Sequence, residues 1–333
     1  MKTILITGAT GFLGTHLVEQ LREAEPEARL RLMSRRAGTT DGSDQIEAIA
    51  GDITNAADVD AAVQGVEEIY HLAGTVERAP TNSWHLYDVH VEGTRYVCES
   101  ARRHGVKRIV LASSSGTVAV GRDPVERTEE SGYATDVVSR WPYYLSKIYA
   151  EKLVQWHCEH HNLPVVIVNP SLLLGPGDTR ESSTKDIRLY LEGQIQAVPT
   201  GGLNLVDARD AAAGARAAMR KGRVGERYLL GGPNWTFREW MSHVEDLSGV
   251  RGPFLSPSLG AALLLAGIAR KVLPLVGGAF KLDDESIRMS ALYWYCDSAK
   301  ARDELGFVTR DPMETLRDTI DDLRRRNSEL RAP

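Results

Sequence analysis

The sequence predicts an α/β fold, a doubly wound parallel sheet with a smaller mixed C-terminal domain for the substrate. Three observations predict it. Short apolar runs alternate with segments of helical spacing through the first half of the chain. The stretch "TGATGFLG", Thr7–Gly14, puts three glycines where the first run hands over to the first helical segment. After Asn169 the rhythm loosens and Gly and Pro become frequent, as in a second unit built over the edge of the first. Together these describe a dinucleotide-binding sheet of the Rossmann type.

The elements follow in order. Ile4–Ile6 reads as a strand. Phe12, Leu13, Leu17, Val18 and Leu21 then recur at helical spacing, and Pro26 follows. Leu30–Met33 and Ile46–Ala50 are the next strands, then a helix over Asp58–Gln64 and a strand over Glu68–Leu72. A helix over Tyr87–Arg103 leads to the strand Arg108–Ala112, and one over Tyr143–His160 leads to the sixth strand, Val165–Val168. Residues 1–171 are expected to form the coenzyme domain, with 203–231 returning to it, and 172–202 with 232–333 the substrate domain. The apolar stretch Leu259–Val276 is broken by Arg270 and Lys271, too interrupted to span a bilayer. It reads as a buried helix or a substrate lid, with peripheral membrane contact as the alternative. The charged tail Asp318–Arg331 reads as an exposed amphipathic helix.

A formal net charge of -5 argues against a nucleic-acid partner. Cys98, Cys158 and Cys296 have neither metal-ligand spacing nor a disulfide pattern, and Met1-Lys2 leads into a strand-like run rather than an apolar leader. Both fit a reducing, cytoplasmic setting. In "WHCEHH", His157, Cys158, His160 and His161 lack the order of a metal-binding helix and read as a polar helix end, so no metal is expected.

Glycines at Gly8, Gly11 and Gly14 allow a tight turn, close approach to a pyrophosphate and close helix packing. The helix start at Phe12 and Leu13 offers unpaired N–H groups and a positive dipole end. Where NAD-selective sites place an acid, this chain has Ser34 followed by Arg35 and Arg36, so NADP(H) is favoured over NAD(H). Asp52 could meet the adenine or cap the next turn. In "PYYLSKIYAEK", Tyr143 and Lys147 stand four apart on one helical face. A phenol titrates near ~10 when unperturbed, so an ammonium and an oxidised nicotinamide beside it are expected to lower it. Ser114 ends the strand Arg108–Ala112 and could polarise a carbonyl, or cap a turn.

The motifs "TGATGFLG", "GDIT", "YHLAG", "VEGT", "SSSG", "YYLSK", "NPSLLLGPGD" and "SAKARDELGF" occur in this order. Over nearly the whole chain they resemble the extended short-chain dehydrogenase/reductase family. The likeness is nearest to its dihydroflavonol-4-reductase and 3β-hydroxysteroid dehydrogenase branch, and within it to bacterial hopanoid-associated members. The resemblance implies Ser114, Tyr143 and Lys147 as the catalytic group and Gly8, Gly11 and Gly14 as the pyrophosphate loop. It puts Asp52 and Ile53 near the adenine, Leu72, Ala73 and Gly74 along the coenzyme, and Pro170 and Ser171 by the nicotinamide. It also implies a homodimer built on the helices near Tyr87–Arg103 and Tyr143–His160.

Two positions depart from the family pattern. His90 stands where Asn is usual before V-x-G-T, with its role left open between steadying the backbone and relaying a proton. Asn169 stands where Arg is common. Hydride transfer between NADP(H) and a ketone or secondary alcohol of a small apolar substrate is the expected reaction: a sterol, triterpenoid, flavonoid-like or β-keto compound. A nucleotide-sugar epimerase would need a cation near "TGGLNLVDARD", a dehydratase an Asp-Glu pair after "SSSG", and a non-catalytic NADP sensor usually lacks the Tyr-Lys pair.

Overall fold

A computed structural model describes residues 1–35, 44–77, 82–272 and 283–331. The first six strands are β1 (Thr3–Thr7), β2 (Arg29–Ser34), β3 (Ile46–Ala50), β4 (Glu68–His71), β5 (Arg108–Ala112) and β6 (Val165–Pro170). The others are β7 (Leu172–Leu174), β8 (Gly202–Asp207), β9 (Arg227–Leu230), β10 (Asn234–Thr236) and β11 (Tyr293–Trp294). Seven of them form one sheet in the order β3-β2-β1-β4-β5-β6-β9, every neighbouring pair parallel. The sequence-read strands are all present, displaced by at most two residues at an end.

Parallel strands covered on both faces must be apolar on both, and β6 is buried along its whole length. On one face Leu13, Leu17 and Leu21 of the helix Phe12–Ala24 pack with Ala211, Ala212, Ala215 and Ala218 of the helix Ala208–Lys221. On the other, Val59 and Val63 meet Val97, Ala101 and Val154. Strand order reverses at β1, so β1 and β4 diverge into helices on opposite faces and leave a crevice at their C-terminal ends.

The smaller sheet is centred on β8, which pairs with β7, β10 and β11. Here the structure differs from the expected division. β8 lies in the smaller sheet, while the helix Ala208–Lys221 and β9 join the large one. Ala301, Leu305 and Phe307, from the expected substrate segment, pack into the core of the large sheet.

Three other segments differ as well. The expected Tyr87–Arg103 helix runs from Trp84 to His104 but widens to a π-turn over Asp88–Glu92. The tail helix, Pro312–Arg331, is not simply exposed, because Leu316, Ile320 and Leu323 bury its inner face against Trp240 and Val244. The apolar stretch forms the helix Leu259–Val272, which is not a buried one: Leu264, Leu265 and Ile268 face solvent and Ala266 is covered. Its expected end at Val276 lies outside the described residues. No helix among the described residues is long and apolar enough to cross a membrane.

Candidate active site

Beyond Thr7 the chain turns sharply at Gly8, whose φ is +73°. A Cβ there would sit 2.7 Å from the Ala73 nitrogen, so the glycine allows the loop to lie against the end of β4. On Gly14 a Cβ would lie 2.2 Å from the Gly8 carbonyl oxygen, and glycine lets the helix pack onto the loop. Gly11 caps the helix Phe12–Ala24 without a side-chain bond, so the first N–H groups have no side-chain acceptor at the cap. That is the setting in which a phosphate is held.

The tyrosine helix, Pro142–His161, starts with proline at its first position and leads into β6. It brings Tyr143 to Ser114, whose hydroxyl hydrogen-bonds the phenol. Ser114 also caps the short turn Ser115–Thr117, accepting from the Gly116 N–H at 3.3 Å, so both readings of this residue hold. Lys147 is buried, and its Nζ donates to the Ala112 carbonyl at 3.0 Å. Nζ also lies 3.3 Å from where a Cβ on Gly74 would be, with His90 Nε2 at 3.2 Å from the same point. Gly74 thus lets the chain after β4 lie close against an amine and an imidazole.

Burial pushes Lys147 down to about 8, opposed by the Glu151 carboxylate one turn further along the helix. Burial pushes Tyr143 up to about 12, with the Ser114 hydrogen bond pulling the other way. The expected lowering involves an ammonium and a bound oxidised nicotinamide together; in the chain by itself burial is the larger effect on Tyr143.

Beneath this pair lies a polar cluster that motif spacing did not reveal. Glu151 is fully buried and takes hydrogen bonds from Ser113, from Thr117 at 2.9 Å and from Asn169 Nδ2 at 2.7 Å. Arg227 stands 3.4 Å from its other oxygen. Asn169 also donates to the Ser114 carbonyl at 3.0 Å. Asn169 therefore belongs to the support of Ser114, a position where a longer arginine side chain would not fit the same bonds. The signal was available: Glu151 continues the four-residue spacing of Tyr143 and Lys147.

The remaining candidates line the crevice. Leu72, Ala73 and Gly74 follow β4, and Pro170 and Ser171 end β6 and leave it. Ser171 Oγ is buried without a hydrogen-bond partner, a group that a ligand amide could satisfy. Arg35 is exposed beyond Ser34 at the end of β2, and Arg36 lies outside the described residues. Asp52 accepts from the Thr54 N–H at 2.9 Å and hydroxyl at 2.8 Å, which hold its carboxyl below the usual range, with Arg35 adding to this. The capping role is therefore present. Ile53 packs against Gly93 of "VEGT". Arg180, which the motif reading passed over, reaches from the second unit to Thr10 of the glycine loop at 3.4 Å.

The uncapped helix start, the Gly8 and Gly14 packing, Gly74 and the partnerless Ser171 hydroxyl together fit a dinucleotide. Trp156 stacks on His160 and meets His157 and His161 edge-on, an aromatic helix end. No group of metal-ligating side chains occurs among the described residues.

The sequence model of the NAD dependent epimerase/dehydratase family matches residues 4–231. Sterol demethylase protein B of Methylococcus capsulatus is 34% identical over 325 residues, 96% of this chain and 97% of its own. Cinnamoyl-CoA reductase 1 of Oryza sativa subsp. japonica is 30% identical over 242 residues, 68% of this chain and 70% of its own. The crystal structure of gox2253 superposes with a TM-score of 0.83 at 28% identity, over 98% of this chain and 99% of that one.

Proposed function

This chain belongs to the NAD dependent epimerase/dehydratase family, the extended short-chain dehydrogenases/reductases, and is an NAD(P)-dependent oxidoreductase; we propose that it reduces the ketone of an apolar substrate with NADPH. The observation that carries this reading is the meeting of the Ser114 and Tyr143 hydroxyls over the ends of β5 and β6, with Lys147 beside Gly74. When bound, the reduced coenzyme supplies a hydride to the carbonyl carbon. Ser114 donates a hydrogen bond to the carbonyl oxygen, where negative charge develops. Tyr143 delivers the proton to that oxygen from its Oη. A protonated phenol is the form that can give a proton, as reduction requires. Lys147 places a cation between the Tyr143 helix and Gly74, where the ribose hydroxyls of the coenzyme would lie.

Apolar chemistry is supported by the aromatic cluster that begins at Tyr143 and runs into the core around Trp141. The Tyr143 ring centroid lies 5.0 Å from that of Tyr144, Tyr144 lies 4.9 Å from Trp294, and Trp294 lies 6.1 Å from Trp141. A sugar-nucleotide substrate is disfavoured on the same ground as in the sequence. Gly201 precedes β8 and Gly202 opens it where an epimerase carries its diphosphate-binding arginine, and a Cβ on Gly202 would already lie 2.4 Å from Tyr295 Oη. The likeness to a sterol demethylase protein and a cinnamoyl-CoA reductase supports a bulky apolar carbonyl compound.

The preference for NADP(H) rests on Ser34, Arg35 and Arg36. A homodimer is supported by the exposed aromatics Trp84, Tyr149 and Trp156 on the helices that the family uses for pairing. Three free cysteines support a cytoplasmic setting.

The test is a panel of steroid, triterpenoid, flavonoid and β-keto substrates with NADPH and NADH, read by absorbance of the reduced nicotinamide. Turnover of an apolar ketone is expected. Conversion of a UDP-sugar with none of the ketones reduced would favour an epimerase, and coenzyme binding without any turnover a sensor. Arg35→Ala and Arg36→Ala are expected to weaken NADPH about tenfold more than NADH, since each removes a charge-assisted contact to phosphate. Equal weakening would reassign the 2′-phosphate site.

A further inference from the structure

Two buried histidines flank the chain that follows β4, and their neighbours dictate where each ring carries its proton. For His90, the Thr75 backbone N–H points at Nε2 from 3.1 Å, so that nitrogen presents its lone pair. The Ser146 hydroxyl lies 2.8 Å from Nδ1 and gives its own proton to the Tyr143 carbonyl, also at 2.8 Å. Ser146 can then only accept from the ring, and the proton of His90 sits on Nδ1.

For His71 the logic runs the other way. Thr94 Oγ1 donates to the His90 carbonyl, so it accepts from His71 Nε2 at 3.1 Å. His71 Nδ1 then takes the Thr7 hydroxyl proton at 2.7 Å, and Thr7 accepts from the Ala73 N–H at 3.2 Å. Every donor in the two chains is matched to an acceptor, and each chain ends on a backbone carbonyl that cannot reverse it.

We propose that His71 and His90 are positioning residues, two neutral imidazoles of opposite tautomer that brace the Ala73–Thr75 backbone, His90 against the first turn of the tyrosine helix and His71 against the helical segment of His90 and Thr94, and that neither carries a proton in the reaction. The consequence for catalysis rests on the reading of Tyr143 and Lys147 above; the tautomers do not. Both rings are 2% exposed. Burial, aided by the Lys147 cation, holds His71 down at about 3 and His90 well below its usual value, with His85 and His71 acting on His90 in the same direction. The Tyr143 ring, 5.6 Å from that of His90, is the other titratable group facing it. A second proton on His90 would set an N–H against the Thr75 N–H. The brace therefore fixes the distance between the coenzyme-side backbone and the helix that bears the proton donor, and it settles the role of a residue for which the family uses an amide.

The test uses the full-length protein labelled with 15N-histidine, with and without NADPH. The ring-nitrogen resonances of His71 and His90 are assigned by their loss in His71→Gln and His90→Gln. The expected result is an Nε2–H form for His71 and an Nδ1–H form for His90, neither titrating between about pH 5 and pH 8. The opposite tautomer at either residue, or titration within that range, would overturn the proposal.

Activity supplies the second arm. An amide keeps a donor and an acceptor but cannot shuttle a proton, so His90→Gln should hold coenzyme affinity and turnover within about threefold, with the pH profile unchanged. His90→Ala should weaken coenzyme binding, measured by fluorescence titration, about tenfold. If His90→Ala does not fold, Ser146→Ala takes its place, with about a threefold loss expected. A proton carrier would give the reverse: glutamine as damaging as alanine, normal coenzyme affinity, and the loss of one limb of the pH profile. Should the wild type reduce no substrate at all, the reductase reading fails while the resonances still decide the tautomers.

Discussion

The C-terminal ends of β1, β4, β5 and β6 and the helix Leu259–Val272 are built on opposite principles. At the strand ends, buried polar groups pass hydrogen bonds from one to the next: Ala73 to Thr7 to His71, Thr75 to His90 to Ser146 to Tyr143, and Asn169 with Ser113 and Thr117 onto Glu151. On the Leu259–Val272 helix, Leu264 is 66% and Leu265 56% exposed, and neighbouring Phe254 and Leu255 are more exposed still. Directional bonds in a low-dielectric interior hold atoms to within a fraction of an ångström, which hydride and proton transfer require. Apolar contact has no direction, so exposed leucines are adaptable in what they pack against. One region is a fixed frame and the other an adaptable face.

The sharpest way to break this comparison is Tyr143→Phe. It removes the phenol hydroxyl but keeps the ring packed against Tyr144 and His90. Turnover should fall by about 10²–10⁴-fold, with coenzyme affinity nearly unchanged. Residual turnover close to that of the wild type would remove Tyr143 from the chemistry.

Next comes pH. The Lys147 amine, held at about 8, is charged below that value and neutral above it, so a step that needs the cation weakens as pH rises through about 8. The profile of kcat/KM should bend downward there, and Lys147→Arg, which stays charged, should abolish the bend. A profile flat to about pH 10 would mean that the charge on Lys147 is not used.

Gly14→Ala probes the frame itself. The new methyl would meet the Gly8 carbonyl and Ala9 backbone, which can yield only by moving the loop. A stability loss of about 1–3 kcal/mol in denaturant titration, together with weaker coenzyme binding, is expected. The smallest effect belongs to the adaptable face. Leu264→Ser with Leu265→Ser should change stability by less than about 0.5 kcal/mol while raising KM for an apolar ketone. A large fall in stability instead would show these leucines to be part of a packed core.

The order of strands, the glycine turn and the placement of Tyr143 and Lys147 were legible because they depend on spacing along the chain. Alternating apolar runs reveal a sheet, and four residues reveal one helical face. The support of the site was not legible. Thr7 and His71 are 64 residues apart and His90 and Ser146 are 56 apart, and their partnership exists only once β1 and β4 are neighbours and the tyrosine helix lies over them. "YHLAG" shows a polar residue ending an apolar strand, which was the one available hint of His71.

The sequence by itself determined the doubly wound sheet, the loop at Gly8–Gly14 and the helix that carries Tyr143, because local sterics and burial periodicity act over a few residues. Only the tertiary structure decided that burial raises Tyr143 in the chain by itself, that Glu151 sits beneath Ser114, and that β8 leaves the large sheet for the small one. These follow from burial and from hydrogen bonds between distant segments. Their energies depend on which groups exclude water from one another, and no stretch of the chain read alone contains that information.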